Sequence, residues 1–291
     1  GKLEKKSISR KTYAILIESP TFVILTVLSI YPFVYTLYYS LTNFYYISKD
    51  GLDFVGLKNY ADLVRNPYFI RAVINTIKFT VACTLLETVA GGAVAVYVNG
   101  LTHFKKTMRT ILLLPNLLPP VTAALIWKIM LSNNYGIINE FLRFMHIPVF
   151  NWFFDTRTAM PVIILIDVWQ CMPFVFLLIY ASLQTVPQTL YEAAKIDGAN
   201  KWHEFRYITM PCISGAVVLC LLLRTIDSFR MFDKINILTG GGPANTTATI
   251  TQFIYTYGIK SLKFGYGSAG AVVMAAIVLL LSIQYIKKSM K

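Results

Sequence analysis

Hydrophobic positions in this chain come in long unbroken runs rather than in the alternation of a half-buried strand. Six runs approach or exceed the roughly 20 apolar residues a helix needs to cross about 30 Å of hydrocarbon. They cover approximately 13–41, 72–98, 110–131, 159–183, 213–237 and 267–286. Inside a bilayer every backbone N–H and C=O must find a partner, which a helix supplies from within its own segment. The expected fold is an all-α integral membrane protein of about six transmembrane helices, one domain over 1–291. An even number of crossings puts both termini on the same side.

The polar interruptions add detail. "LLPNLLPPV" places Pro115, Pro119 and Pro120 inside the third run and predicts a kink or an interrupted helix there. "GIINEFLRFMHIPVFNWFF" (136–154) is amphipathic and aromatic, suiting a helix that lies in the membrane interface. "TGGGPANTT" (239–247) is a glycine-proline turn that closes the fifth run. Between the fourth and fifth runs, the 184–211 loop contains good helix formers from Pro187 to Ile196, followed by Gly198 where a helix would end in a left-handed turn. Asn200 can cap a second short helix, on which Trp202, Phe205 and Ile208 form an apolar ridge. Two readings stay open on these grounds: a compact knob that another protein grips, or an ordinary solvated loop.

Composition agrees with the bilayer. Hydrophobic residues make up 56% of the chain and charged residues 14%, about half the charge density of a soluble globular protein. The net charge of +13 does not gather into one groove-sized patch, so anionic lipid headgroups account for it and no nucleic-acid partner is expected. Near the run ends, the N-terminus, the 99–109 connection, the 184–211 loop and the C-terminal tail together hold fourteen Lys and Arg, against eight in the other three connections. By the positive-inside rule both termini and the 184–211 loop are cytoplasmic. The basic N-terminus leads into an apolar run too long for a signal-peptide core and lacking a small-residue cleavage site, so a retained first span is expected. Cys83, Cys171, Cys212 and Cys220 lack the spacing of a zinc site or a disulfide framework and read as packing residues.

Several chemistries are missing. The nearest approach to a phosphate-cradling loop, "GLDFVGLK", lacks the adjacent Gly-Lys pair, so the chain carries no ATPase site of its own. His203-Glu204 begins like a zinc-protease motif, but Tyr207 stands where the second ligand belongs, and His103 and His146 are isolated. No nucleophile elbow is present. The expectation is a non-enzyme that binds no cofactor or metal.

Polar residues within the apolar runs are costly, roughly 2.5–3.5 kcal/mol each near a helix centre, and normally pair or line a wet cavity. In the fifth run Arg224, Asp227, Ser228 and Met231 recur on one helical face, and the fourth offers Asp167, Cys171 and Phe174 at similar spacing, with Pro173 able to open its backbone. Carboxylates and guanidinium groups bond hydroxyls and aromatic rings pack on sugar C–H faces, so this is a carbohydrate site in outline, although Arg224 suits a phosphate as well as a hydroxyl and leaves a glycerol-phosphate type solute open. The alternative is an Arg–Asp ladder that holds the bundle together, favoured for Arg230, Asp233 and Lys234. Lys78, Glu87 and Lys128 read as structural residues nearer span edges or on other helices.

"EAAKIDGANKWHEFRYITMP" (192–211) resembles the EAA signature of membrane subunits of binding-protein-dependent ABC importers: Glu-Ala-Ala, three residues, Gly, nine residues, then Ile-x-Leu-Pro. Glu192, Ala193, Ala194, Gly198, Ile208 and Pro211 match, and Met210 replaces the leucine. "FVGLKNY", "LLLPNLLPPVTAALIWK", "YGIINEFL", "LTGGGP" and "FGYGSAGAV" resemble further elements of the sugar-type, maltose-like permeases in the same order. The resemblance implies an ABC type I importer permease in a prokaryotic cytoplasmic membrane. Glu192, Ala193, Ala194 and Gly198 would then form a coupling helix seated in the ATPase. Partners would be a second permease, two ATPase subunits that carry the ATP and Mg, and an extracellular solute-binding protein. It also implies sugar contacts at Asp167, Cys171, Phe174, Arg224, Asp227, Ser228, Met231 and Asp233. The competing readings are an ion-gradient-driven secondary transporter, which would move solute unaided, and, more remotely, an intramembrane enzyme.

Overall fold

The computed structural model describes residues 10–47 and 52–289, and within that range the side chains from Glu18 to Tyr285 and that of Lys287. Lys2, Lys5, Lys6, Lys49 and Lys291, which enter the charge count above, lie outside the described residues, as do the side chains of Arg10, Lys11 and Lys288. The described chain is helical throughout, with a single antiparallel bridge between Thr42 and Phe54. Its elements are α1 (Arg10–Ser40), α2 (Lys58–Arg65), α3 (Pro67–Gly100), α4 (Lys105–Leu113), α5 (Pro120–Met130), α6 (Ile137–Phe144), α7 (Ala159–Leu183), α8 (Gln188–Ile196), α9 (Lys201–Glu204), α10 (Met210–Phe229), α11 (Asp233–Leu238), α12 (Ile250–Phe253) and α13 (Phe264–Ser289). Five rods are long and apolar enough to cross a membrane: Glu18–Ser40 within α1, α3, α7, the continuous Lys201–Phe229 rod, and Phe264–Tyr285 within α13.

The third apolar run is two helices meeting at 93°. After α4 a tight turn at Leu114–Leu117 ends at Leu118, whose ψ of 133° is extended, as a residue before proline prefers. Pro119 and Pro120 then remove two donors and α5 sets off in a new direction. The Leu118 carbonyl that the break frees accepts from Gln170 Nε2 on α7 at 2.7 Å.

The fifth run is displaced relative to its hydropathy. The helix starts at Lys201, where the Asn200 side chain accepts from the His203 N–H at 2.9 Å, and continues through a π-helical stretch, Phe205–Thr209, into α10. The second short helix of the 184–211 loop is thus the first turn of a membrane rod. That rod ends at Phe229 rather than near 237, and α11 follows as a separate piece. The Met231 carbonyl freed at this break accepts from Thr251 Oγ1 at 2.5 Å and from Thr249 Oγ1 at 3.3 Å. The amphipathic 136–154 segment is helical only through α6. Beyond it the chain turns through His146, with φ at +58°, and is tied by Asn139, which accepts from Trp152 Nε1 at 2.8 Å.

Close helix approach depends on glycine, since lipid is as apolar as the side chains and contact comes from packing. A Cβ on Gly91 of α3 would lie 2.9 Å from Val175 Cβ and 3.0 Å from the Phe176 nitrogen of α7. Likewise Gly267 of α13 abuts Gly258, where an added Cβ would reach 2.5 Å from the Gly258 Cα. Around α7 sit two buried clusters, one with Phe79, Ile163 and Ile235, the other with Ala95, Phe176 and Ile213; a third joins Leu63, Phe69 and Phe253. By contrast, the membrane-length part of α1 has no buried residue in its most apolar stretch.

Gly91→Val is expected to destabilise the bundle by about 1–3 kcal/mol through overpacking. Gly215→Ala, which meets open space in α10, should leave stability unchanged or raise it. Thermal unfolding of the detergent-solubilised protein distinguishes the two, and equal effects would show that the α3–α7 contact is not tight.

Candidate functional site

Where α3, α7 and α10 meet, four charged side chains are removed from solvent. Glu87 of α3, Asp167 of α7 and Lys234 of α11 have zero exposure, and Arg224 of α10 has 5%. Arg224 grips Glu87 with two nitrogens, Nε to Oε2 at 2.5 Å and Nη2 to Oε1 at 3.1 Å. Its Nη2 also faces Asp167 Oδ2 at 3.5 Å and Ser228 Oγ at 3.4 Å. The Lys234 ammonium donates to Asp167 Oδ1. Two carboxylates and two cations thus cancel across four helices. Removing one member of such a buried set strands its partner, at a cost of roughly 3–5 kcal/mol.

Cys83, Glu87 and Asp167 bring three possible ligand atoms within 4.8 Å of one another. Both carboxylates are already matched, by a guanidinium and an ammonium, so fixed protein cations stand where a metal ion would supply its charge. The cluster reads as an ion-pair network.

The residues expected to contact cargo divide by accessibility. Asp167, Arg224 and Ser228 are buried, Asp167 and Arg224 within the ion network and Ser228 against Arg224. Cys171, Phe174, Met231 and Asp233 are partly exposed. Asp227 is the most open, its side chain 50% exposed, held by Arg230 at 3.0 Å and lying 3.6 Å from Arg224. The Cys171 thiol lies 3.7 Å from Asp167 Oδ1. Trp127 and Trp169 pack edge to face nearby on α5 and α7, with ring centroids 5.4 Å apart. Lys128 donates to the Ile237 carbonyl at 2.5 Å, closing the C-terminal end of α11.

Glu87, assigned by the sequence reading to span edges or other helices, is the central partner of Arg224. Its one sequence signal is an acid inside the second apolar run, where an unpaired charge is costly. Lys234, placed with the outer ladder, reaches across to a different helix.

The other candidate site is the loop between α7 and the Lys201–Phe229 rod. α8 ends in a Schellman turn: Gly198 at φ +77° donates to the Lys195 carbonyl at 3.1 Å, and Ala199 donates to the Ala194 carbonyl at 2.9 Å. An added Cβ on Gly198 would meet nothing within 4 Å, so the left-handed backbone, not crowding, requires glycine there. Glu192 and Ala193 are exposed and Ala194 is partly so. Beside them stand Ile196 at 87% exposure, Trp202 at 63% and Leu190 at 43%. Tyr191 ties the knob to the rod, its hydroxyl 3.0 Å from Thr209 Oγ1. Gln184 Nε2 donates to Asn99 Oδ1 at 2.7 Å, tying the start of the loop to the end of α3.

Residues 88–286 match the family described as binding-protein-dependent transport system inner membrane component. The trehalose/maltose transport system permease protein MalF of Thermococcus litoralis is 36% identical over 80% of this chain and 79% of its own length. The sulfoquinovosyl glycerol transport system permease protein SmoG of Agrobacterium fabrum is 32% identical over 94% of this chain and 89% of its own. A chain in the crystal structure of a bacterial alginate ABC transporter, in complex with an alginate pentasaccharide-bound periplasmic protein, superposes with a TM-score of 0.82 at 22% identity, covering 94% of this chain and 91% of that one. Sequence match, helical architecture and the exposed α8 knob together make this chain a member of the binding-protein-dependent transport system inner membrane component family.

Proposed function

We propose that this chain is a permease subunit of an ATP-driven carbohydrate importer of the prokaryotic inner membrane, forming one half of the translocation pathway. It works with a second permease, two ATPase subunits and an extracellular solute-binding protein that delivers the sugar. Both termini and the 184–211 loop face the cytoplasm. The observation that carries the reading is the α8 knob. Its rigid Schellman turn and exposed Leu190, Ile196 and Trp202 form a surface that water alone would leave unfavourably solvated, on a loop rooted in two membrane rods. The knob sits in a cleft of the ATPase, with Glu192 bonded to it and Ala193 and Ala194 allowing close approach. Closure of the ATPase pair upon ATP binding pushes α8, and the Tyr191–Thr209 and Gln184–Asn99 contacts pass the movement to the rods.

Cargo passes along the face that carries Asp227, Asp233, Cys171, Phe174 and Met231, with Asp167, Arg224 and Ser228 as the wall behind it. An exposed carboxylate next to aromatic and thioether surface suits a sugar, whose hydroxyls donate to the acid while its C–H face packs on the ring. An ion-gradient-driven carrier would place its proton or sodium site on buried carboxylates, whereas the two buried among the described residues, Glu87 and Asp167, are already matched by Arg224 and Lys234.

Gly198→Asp and Glu192→Lys are expected to lower uptake by the assembled transporter more than about tenfold, as for other residues at the centre of a docking surface. Membrane levels should stay the same. Normal uptake in both variants would remove the knob from the mechanism. For sidedness, in a background with Cys212→Ser, His103→Cys should react with an impermeant maleimide in inverted vesicles and not in intact cells, and Tyr135→Cys should do the reverse. The opposite pattern would invert the topology.

A further inference from the structure

We infer that Glu87 and Lys234 are internal counterions that keep Arg224 and Asp167 from binding cargo, so that this half of the pathway selects neutral sugars and rejects uronates, sulfonates and sugar phosphates. The inference rests on the reading that cargo follows the Asp227–Phe174 face.

A guanidinium recognises carboxylate or phosphate through its planar fork of N–H donors. In Arg224 that fork is spent: Nε and Nη2 hold Glu87, Nη2 also faces Asp167, and Nη1 faces Asp227 at 3.6 Å. Lys234 is equally committed, its ammonium on Asp167 with the Cys171 thiol 3.9 Å away. Arg230, though exposed, is held by Asp227. Each of the three cations between 224 and 234 therefore faces a carboxylate of this same chain. The charged group left over on that stretch is Asp233, partly exposed and without an ion pair among the described residues. Two more cations belong to the helices around this network. The Lys128 ammonium is taken by the Ile237 carbonyl, at the end of α11 where the helix dipole is negative. Lys78 is exposed on α3, more than two turns before Glu87. Among the described residues the accessible face around Asp227 thus offers acceptors for sugar hydroxyls and no free cationic fork.

Glu87→Gln keeps the shape of the side chain and releases the Arg224 fork, so it should create affinity for an anion. The assembled transporter in nanodiscs is titrated with maltose, trehalose and lactose as neutral probes and with digalacturonate and glucose 6-phosphate as anionic ones, read by saturation-transfer NMR. The wild type is expected to bind a neutral probe and neither anionic one. Glu87→Gln should bind an anionic probe about tenfold more tightly than the wild type or better. The double variant Glu87→Gln/Arg224→Gln should show no such gain. A pair that merely stapled the bundle would weaken all probes together when broken. The inference is overturned if the wild type takes the anionic probes as well as the neutral ones, if Glu87→Gln gains nothing for anions, or if the double variant gains as much. Should Glu87→Gln fail to assemble, Asp167→Asn frees Lys234 and is read by the same criteria. Binding of no probe to any form would overturn the sugar-pathway reading and this inference with it.

Discussion

A charge or an unbonded carbonyl inside hydrocarbon has no water to turn to, and the cost of leaving it alone exceeds most packing terms in the bundle. Arg224 meets Glu87 and Lys234 meets Asp167 for this reason, and the same demand governs the two places where membrane helices break. At the proline break the freed Leu118 carbonyl finds Gln170, and at the break after Phe229 the Met231 carbonyl finds Thr249 and Thr251. Each solution draws its partner from another helix. The polar contacts that solve the solvation problem therefore also hold α3, α5, α7, α10 and α11 in one arrangement.

The α8 loop shows the reverse economy. There the carbonyls at the end of α8 are served by the local turn at Gly198, while Ile196 and Trp202 remain in the open. In the proposed coupling role this exposed apolar surface is what a partner would cover, and the rod capped by Asn200 joins it to the ion network. Between the knob and Arg224 the rod contains a π-helical stretch at Phe205–Thr209, a local widening of the helix close to where Tyr191 contacts it.

Carbohydrate as cargo fits this division of labour. Sugars bind weakly to many partial contacts, and a pathway has to release what it binds. A wall whose charges are already cancelled offers shape and hydroxyl acceptors without the strong fork-to-anion contact that would trap an acidic solute. The trehalose/maltose relative agrees with the carbohydrate part of the reading; sulfoquinovosyl glycerol and alginate, named for two others, are anionic, so the inferred charge preference rests on the pairing of Arg224, Lys234 and Arg230 in this chain alone.

What the sequence determined by itself was whatever depends on local or one-dimensional chemistry. Run length set the number of crossings, consecutive prolines set the broken third span, Asn200 set a helix start and Gly198 a helix end, because each acts through its own backbone within a few residues. Seven of the eight positions near the proposed pathway share a helical spacing in the sequence and Asp233 was added by the family resemblance, but which of them would be open was not legible there. The tertiary structure decided that division: Glu87, distant in the chain, turns inward and takes Arg224, and Lys234 takes Asp167. It likewise decided that the fifth rod ends at Phe229, where no glycine or proline marks the place, because the partners that satisfy the broken backbone come from residues 249 and 251. Pairing across helices depends on which faces meet, and hydropathy along one helix holds no record of its neighbour.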